Sequence, residues 1–101
     1  MSRYLLTPEA REDLNEIRRY LTADADSGVA KFVLTKVRST IAMLARTPGI
    51  GHLRKDLTEH PVKFWQVFSY LIVYDPVSRP INVIRVLHSK RDVSAILADD
   101  D

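Results

Sequence analysis

The chain has 101 residues, 46% of them hydrophobic and 28% charged, with a net charge of +2 and no cysteine. That length holds one domain, spanning 1–101, and leaves no room for a second independent functional unit. The composition excludes a disordered chain, and the missing cysteine excludes disulfides, thiolate metal ligands and cysteine nucleophiles.

In chain order, Tyr4-Leu5-Leu6 is a short apolar run that reads as a strand. Thr7-Pro8-Glu9 is a helix start: the hydroxyl can cap, proline fits the first helical position and glutamate suits the positive end of the dipole. Ala10, Leu14, Ile17 and Leu21 fall on one face, so a first amphipathic helix is expected over roughly 8–22. Asp26 or Ser27 can cap a second helix. There Ala30, Leu34, Val37, Ile41 and Leu44 repeat the one-sided spacing until Thr47-Pro48-Gly49 forbids continuation. The two form an antiparallel hairpin.

Phe64 to Phe68 and Tyr70 to Tyr74 are rich in aromatic and β-branched residues and read as strands, and Asp75 to Pro80 reads as a turn region. Ile81 to Leu87 is the partner strand. Leu71-Ile72-Val73 is apolar on both faces, which suits a central strand covered on both sides. Ser89-Lys90-Arg91-Asp92 matches a capping box, so Ser89 and Asp92 are expected to start a last short helix through Leu97, with Lys90 and Arg91 in its first turn. The fold class is α+β: an N-terminal strand, a two-helix hairpin, an antiparallel three- to four-stranded sheet and a short C-terminal helix.

Charge is unevenly placed. Between residues 60 and 91 stand Lys63, Arg79, Arg85, Lys90, Arg91, His60 and His88 against one acid, Asp75, which predicts a positive face and an anionic partner. No apolar leader or membrane span is visible, so a cytoplasmic protein without membrane contact is expected.

Several chemistries lack their residues. There is no G-x-S-x-G, no phosphate-binding glycine loop and no H-E-x-x-H, and His52, His60 and His88 share no ligand spacing; neither a metal nor a cofactor is expected. Metal-free RNA cleavage needs cations on the scissile phosphate and a group that moves a proton, which Lys63, Arg85, His88 and Arg91 could supply. Equally, Arg85 could sit in a partly buried ion pair or stack on Trp65 or Tyr70, and His88 could be a hydrogen-bonded strand end. Strand alternation puts Val83, Arg85 and Leu87 on one face and Ile84, Val86 and His88 on the other; with Ile84 and Val86 toward the helices, Arg85 lies on the open face.

The string Tyr4-Leu5-Leu6-Thr7-Pro8-Glu9-Ala10 with Asp13-Leu14 and Ile17, then Leu44-Ala45, Pro48 and Gly51, then Tyr70-Leu71-Ile72-Val73-Tyr74, then Arg85-Val86-Leu87-His88 with Arg91-Asp92, resembles the ParE branch of the RelE/ParE toxins. The resemblance spans nearly the whole chain and implies the toxin of a bacterial type II toxin-antitoxin pair. It implies a cognate ParD-like antitoxin that carries the operator-binding domain, DNA gyrase as target, and no sequence-specific DNA binding by the toxin itself. RelE-type relatives instead cut mRNA on the ribosome. Where such toxins usually carry arginine before the aromatic strands, this chain has Lys63, which keeps the charge and loses the bidentate fork. After Arg91 there is no tyrosine, and after Glu59 no glutamate, so the nuclease set is incomplete. The expected docking residues are Lys63, Trp65, Arg85, His88, Lys90 and Arg91. Ribosome-dependent cleavage, through Lys63, Arg85, His88 and Arg91, is the alternative, and an inactive antitoxin-binding homologue is a third. An open sheet edge and the helical hairpin both offer places for a wrapping, acidic antitoxin.

Overall fold

The computed structural model describes residues 3–98. β1 (Tyr4–Leu6) leads into α1 (Pro8–Asp24), and α2 (Ser27–Arg46) returns beside it. The Thr7 hydroxyl accepts from Ala10 N at 3.0 Å, and Asp26 accepts from Val29 N at 2.8 Å. Each satisfies one of the orphan amides of a helix start. The first helix runs two residues beyond its expected end, because Thr22-Ala23-Asp24 contains no breaker and continues the turn. After the 3₁₀ turn Pro48–Ile50 come β2 (Lys63–Val67), β3 (Tyr70–Asp75), β4 (Ile81–His88) and α3 (Val93–Ala98).

The strands form one sheet in the order β1-β4-β3-β2. β2, β3 and β4 are antiparallel neighbours, as the turn signals predict, whereas β1 pairs with β4 in parallel, Tyr4 opposite Ile81 and Leu6 opposite Val83. The hairpin between them is the crossover that a parallel pair requires. Two apolar layers result. Leu14, Ile17, Val37, Ile41 and Leu44 pack on Ile72, Tyr74, Val83 and Val86 on the helical side. Phe64, Leu71, Val73 and Leu87 pack under Val93 and Leu97 on the other. β3 is covered on both faces, which explains its unbroken apolar run.

The strict alternation expected of β4 fails at one place. Tyr74 pairs with Val83 and Val73 with Arg85, so Ile84 is an extra residue with no opposite number. This bulge shifts the parity: Val83 and Val86 both join the helical layer, and Ile84 and Leu87 both join the opposite one. The bulge is held in place by the Thr7 hydroxyl, which donates to Ile84 O at 2.7 Å. Arg85 is therefore turned toward α1 instead of the open face.

The last helix is also capped differently from expectation. Asp92 accepts from Ala95 N at 3.2 Å, while Ser89 lies one turn earlier and its backbone N–H bonds Ser69 O at 2.7 Å. The reciprocal bond of a capping box, from the Ser89 amide to the Asp92 carboxylate, is not made because that amide donates to Ser69 O in the β2–β3 turn. Lys90 and Arg91 thus precede the helix and escape the unfavourable dipole of a first turn.

Candidate functional site

The most constructed polar feature lies where α1 crosses the bulged end of β4. Asp13 sits on the apolar face of α1, between Ala10 and Ile17, with its side chain only 5% exposed. Its carboxylate accepts from Arg85 Nε at 2.8 Å and Arg85 Nη2 at 2.9 Å, and from the backbone N–H of Val86 at 3.0 Å. The third bond satisfies an amide that β4 exposes where β1 has ended. A buried carboxylate with three donors is fully compensated, so this is a strap from helix to strand.

Beside the strap opens a groove of about 260 Å³ between α1 and the sheet. Ile17 and Tyr20 from α1, Tyr70 from β3 and Val86 from β4 form its walls, and Glu16, His88 and Arg91 its rim. Tyr70 meets the His88 ring edge-on at a centroid distance of 5.4 Å. His88 Nδ1 accepts from Lys90 N at 3.1 Å, which folds the chain back over the strand end and exposes the Lys90 and Arg91 side chains. Burial holds the Tyr70 hydroxyl above the ordinary tyrosine pKa, with a smaller contribution from neighbouring Tyr20.

The expected docking residues separate into two corners. His88, Lys90 and Arg91 gather at the end of β4, with Arg85 behind them on Asp13. Lys63 and Trp65 lie on β2. Lys63 pairs with Tyr74 and His88 with Tyr70, so they stand roughly 13 Å apart along the strand direction, with β3 between their strands. Lys63 Nζ donates to Gly49 O at 3.0 Å, and Trp65 stacks on His52 with ring centroids 5.7 Å apart and planes within 5°. His52 is fixed there by a two-way bridge to Phe64. Around it, Tyr74 Oη donates to Pro48 O at 2.6 Å and accepts from Gly51 N at 3.0 Å.

Sequence reading missed the acidic wall of the groove. Asp13 had a detectable signal, since it shares the buried stripe of Ala10, Leu14 and Ile17, where a carboxylate must find a partner. Glu16 and Tyr20 carried none, because an exposed helix face tolerates both. Among the described residues no cluster of three His, Asp or Glu could hold a metal ion. Nor is any described helix long and apolar enough to cross a membrane.

Residues 4–93 match the family model described as the ParE toxin of type II toxin-antitoxin systems, parDE. The chain belongs to the ParE toxin family. No curated protein matches the sequence. The fold of this ParE chain is similar to a solved structure from P. aeruginosa described as a chromosomal ParDE TA system, with a TM-score of 0.70 and 16% identity, covering 87% of this chain and 96% of that one. The bulge, the strap and the groove are therefore features built on a ParE frame, and the protein is a ParE-type toxin of a type II system.

Proposed function

We propose that this ParE-type toxin inhibits DNA gyrase and is neutralised by a ParD-like antitoxin. The observation that carries the reading is the state of Arg85. Its Nε and Nη2 both donate to Asp13, so a carboxylate stands where a nuclease would need a cation free to meet the scissile phosphate. Lys63, the second cation of the alternative cleavage set, is bonded to Gly49 O at the far corner of the sheet. A toxin that acts by docking on its target needs neither to be free.

Family membership and the likeness to a ParDE structure support the antitoxin half of the reading. The groove beside His88 offers what an apolar anchor of an antitoxin requires: Ile17, Tyr20, Tyr70 and Val86 as walls, and Lys90 and Arg91 nearby for acidic flanking residues. Trp65, on the other corner, is the aromatic we assign to the target-facing surface together with Lys63.

One preparation of purified toxin, assayed against gyrase supercoiling and against mRNA on translating ribosomes, tests this. Loss of supercoiling with intact mRNA is expected. Cleaved mRNA with unaffected gyrase would establish the ribonuclease alternative, and no effect on either would indicate a homologue that only binds antitoxin.

A further inference from the structure

The outer surface of the helical hairpin carries a second, chemically different groove. Arg18 and Thr22 from α1 and Lys31, Thr35 and Arg38 from α2 line it, around a narrow floor of Ala30 and Leu34, with a volume of about 230 Å³ and no carboxylate in its lining. The spacing explains the convergence. Residues 18 and 22 on α1, and 31, 35 and 38 on α2, are each on one stripe at helical period. Arg11 continues the α1 stripe one turn and three residues earlier. None of the five carboxylates of α1 lines it: Glu12 pairs with Arg19, Asp13 with Arg85, Glu16 lies on the rim of the other groove, and Glu9 and Asp24 stand near the two ends of the helix. α2 contains no acid anywhere between Ser27 and Arg46.

Among the described residues none of the three groove cations has a carboxylate partner; Arg18 donates only to the neutral Asn15 Oδ1, at 2.7 Å. All three are exposed. Cations and hydroxyls set along a track are the donors that hold nucleic-acid phosphates. A partner helix would need apolar anchors, and the exposed aromatics Tyr20, Phe32 and Phe68 are all outside this groove. Lys31 and Arg38 are seven residues apart, roughly 10 Å along α2, so they reach separate phosphates.

We infer that the outer hairpin groove is a sequence-independent contact for the phosphate backbone of duplex DNA, made by Arg18, Lys31 and Arg38. It rests on the gyrase reading only for the source of the duplex, since gyrase holds DNA at its surface. The toxin then touches two bodies: the enzyme through the sheet side and its DNA through the hairpin.

The test is fluorescence anisotropy of a labelled 20-base-pair mixed-sequence duplex titrated with toxin at several salt concentrations. Three phosphate contacts predict a slope of log K against log salt of about −3, since each phosphate contributes about −0.9. Arg18→Glu/Lys31→Glu/Arg38→Glu should weaken binding by more than tenfold and flatten the slope, and the milder glutamine triple should do the same to a lesser degree. Arg3→Glu/Lys36→Glu/Lys55→Glu, with the same change in net charge, should lose far less. Equal losses in the two glutamate triples, or wild-type toxin that leaves the duplex free at low salt, would overturn the inference. So would groove-dependent binding of an acidic helical peptide in place of the duplex. Gyrase inhibition measured on the wild-type protein reports separately whether the gyrase reading itself fails.

Discussion

At the scale of residues, the strap between Asp13 and Arg85 is the interaction with most at stake. Burying two charges gains little in itself, but removing one partner strands the other in the protein. Asp13→Ala is therefore expected to lower unfolding stability by about 3 kcal/mol, measured by urea denaturation. The apolar pair Asp13→Leu/Arg85→Met should recover more than half of that loss. If the double variant is as unstable as the sum of its singles, the strap is not the source of the effect. Tyr74 makes a second residue-scale prediction. Its hydroxyl bonds Pro48 O and Gly51 N, and burial raises its pKa above 10 while the Gly51 bond lowers it less. The folded state then keeps a proton that the unfolded chain releases, so stability is full below about pH 10 and falls as pH rises beyond it. Tyr70, raised mainly by burial, adds to the same fall. Tyr74→Phe should cost about 1 to 3 kcal/mol at neutral pH and make the alkaline decline shallower in thermal melts. Gly51→Ala should be worse, because an added Cβ would lie 2.9 Å from the Tyr74 ring.

At the scale of elements, the helices and the three antiparallel strands were legible because period, caps and breakers agree along those stretches. Three features were not. The parallel pairing of β1 depends on where the chain returns after 74 residues, and a three-residue strand carries no register signal of its own. The bulge at Ile84 is invisible because isoleucine is a good strand residue on either face, yet it decides where Arg85 points. The capping-box pattern places the start of α3 one turn early, because it does not show that the Ser89 amide is bonded to Ser69 in the β2–β3 turn. Asp92→Ala should cost about 1 kcal/mol and speed hydrogen exchange across residues 93–98, whereas Ser89→Ala should change stability by less than about 0.5 kcal/mol. Equal effects of the two would restore the capping-box reading.

At the scale of the whole molecule, the modest net charge conceals a strong division. Asp13 and Glu16 of α1 line the sheet-side groove, the hairpin groove is wholly cationic in its charged residues, and Lys90 and Arg91 crown the end of β4. The candidate site was legible only in part: the cations could be picked out as residue types, but an intervening strand, β3, and a bulge set them in separate corners that linear order could not show. That separation is what favours a toxin acting by contact over one acting by cleavage. The most direct measurement mixes gyrase, relaxed plasmid and ATP with increasing toxin, and quenches with detergent and protease. Supercoiling that falls as toxin rises is the predicted result; complete supercoiling at excess toxin would contradict the account.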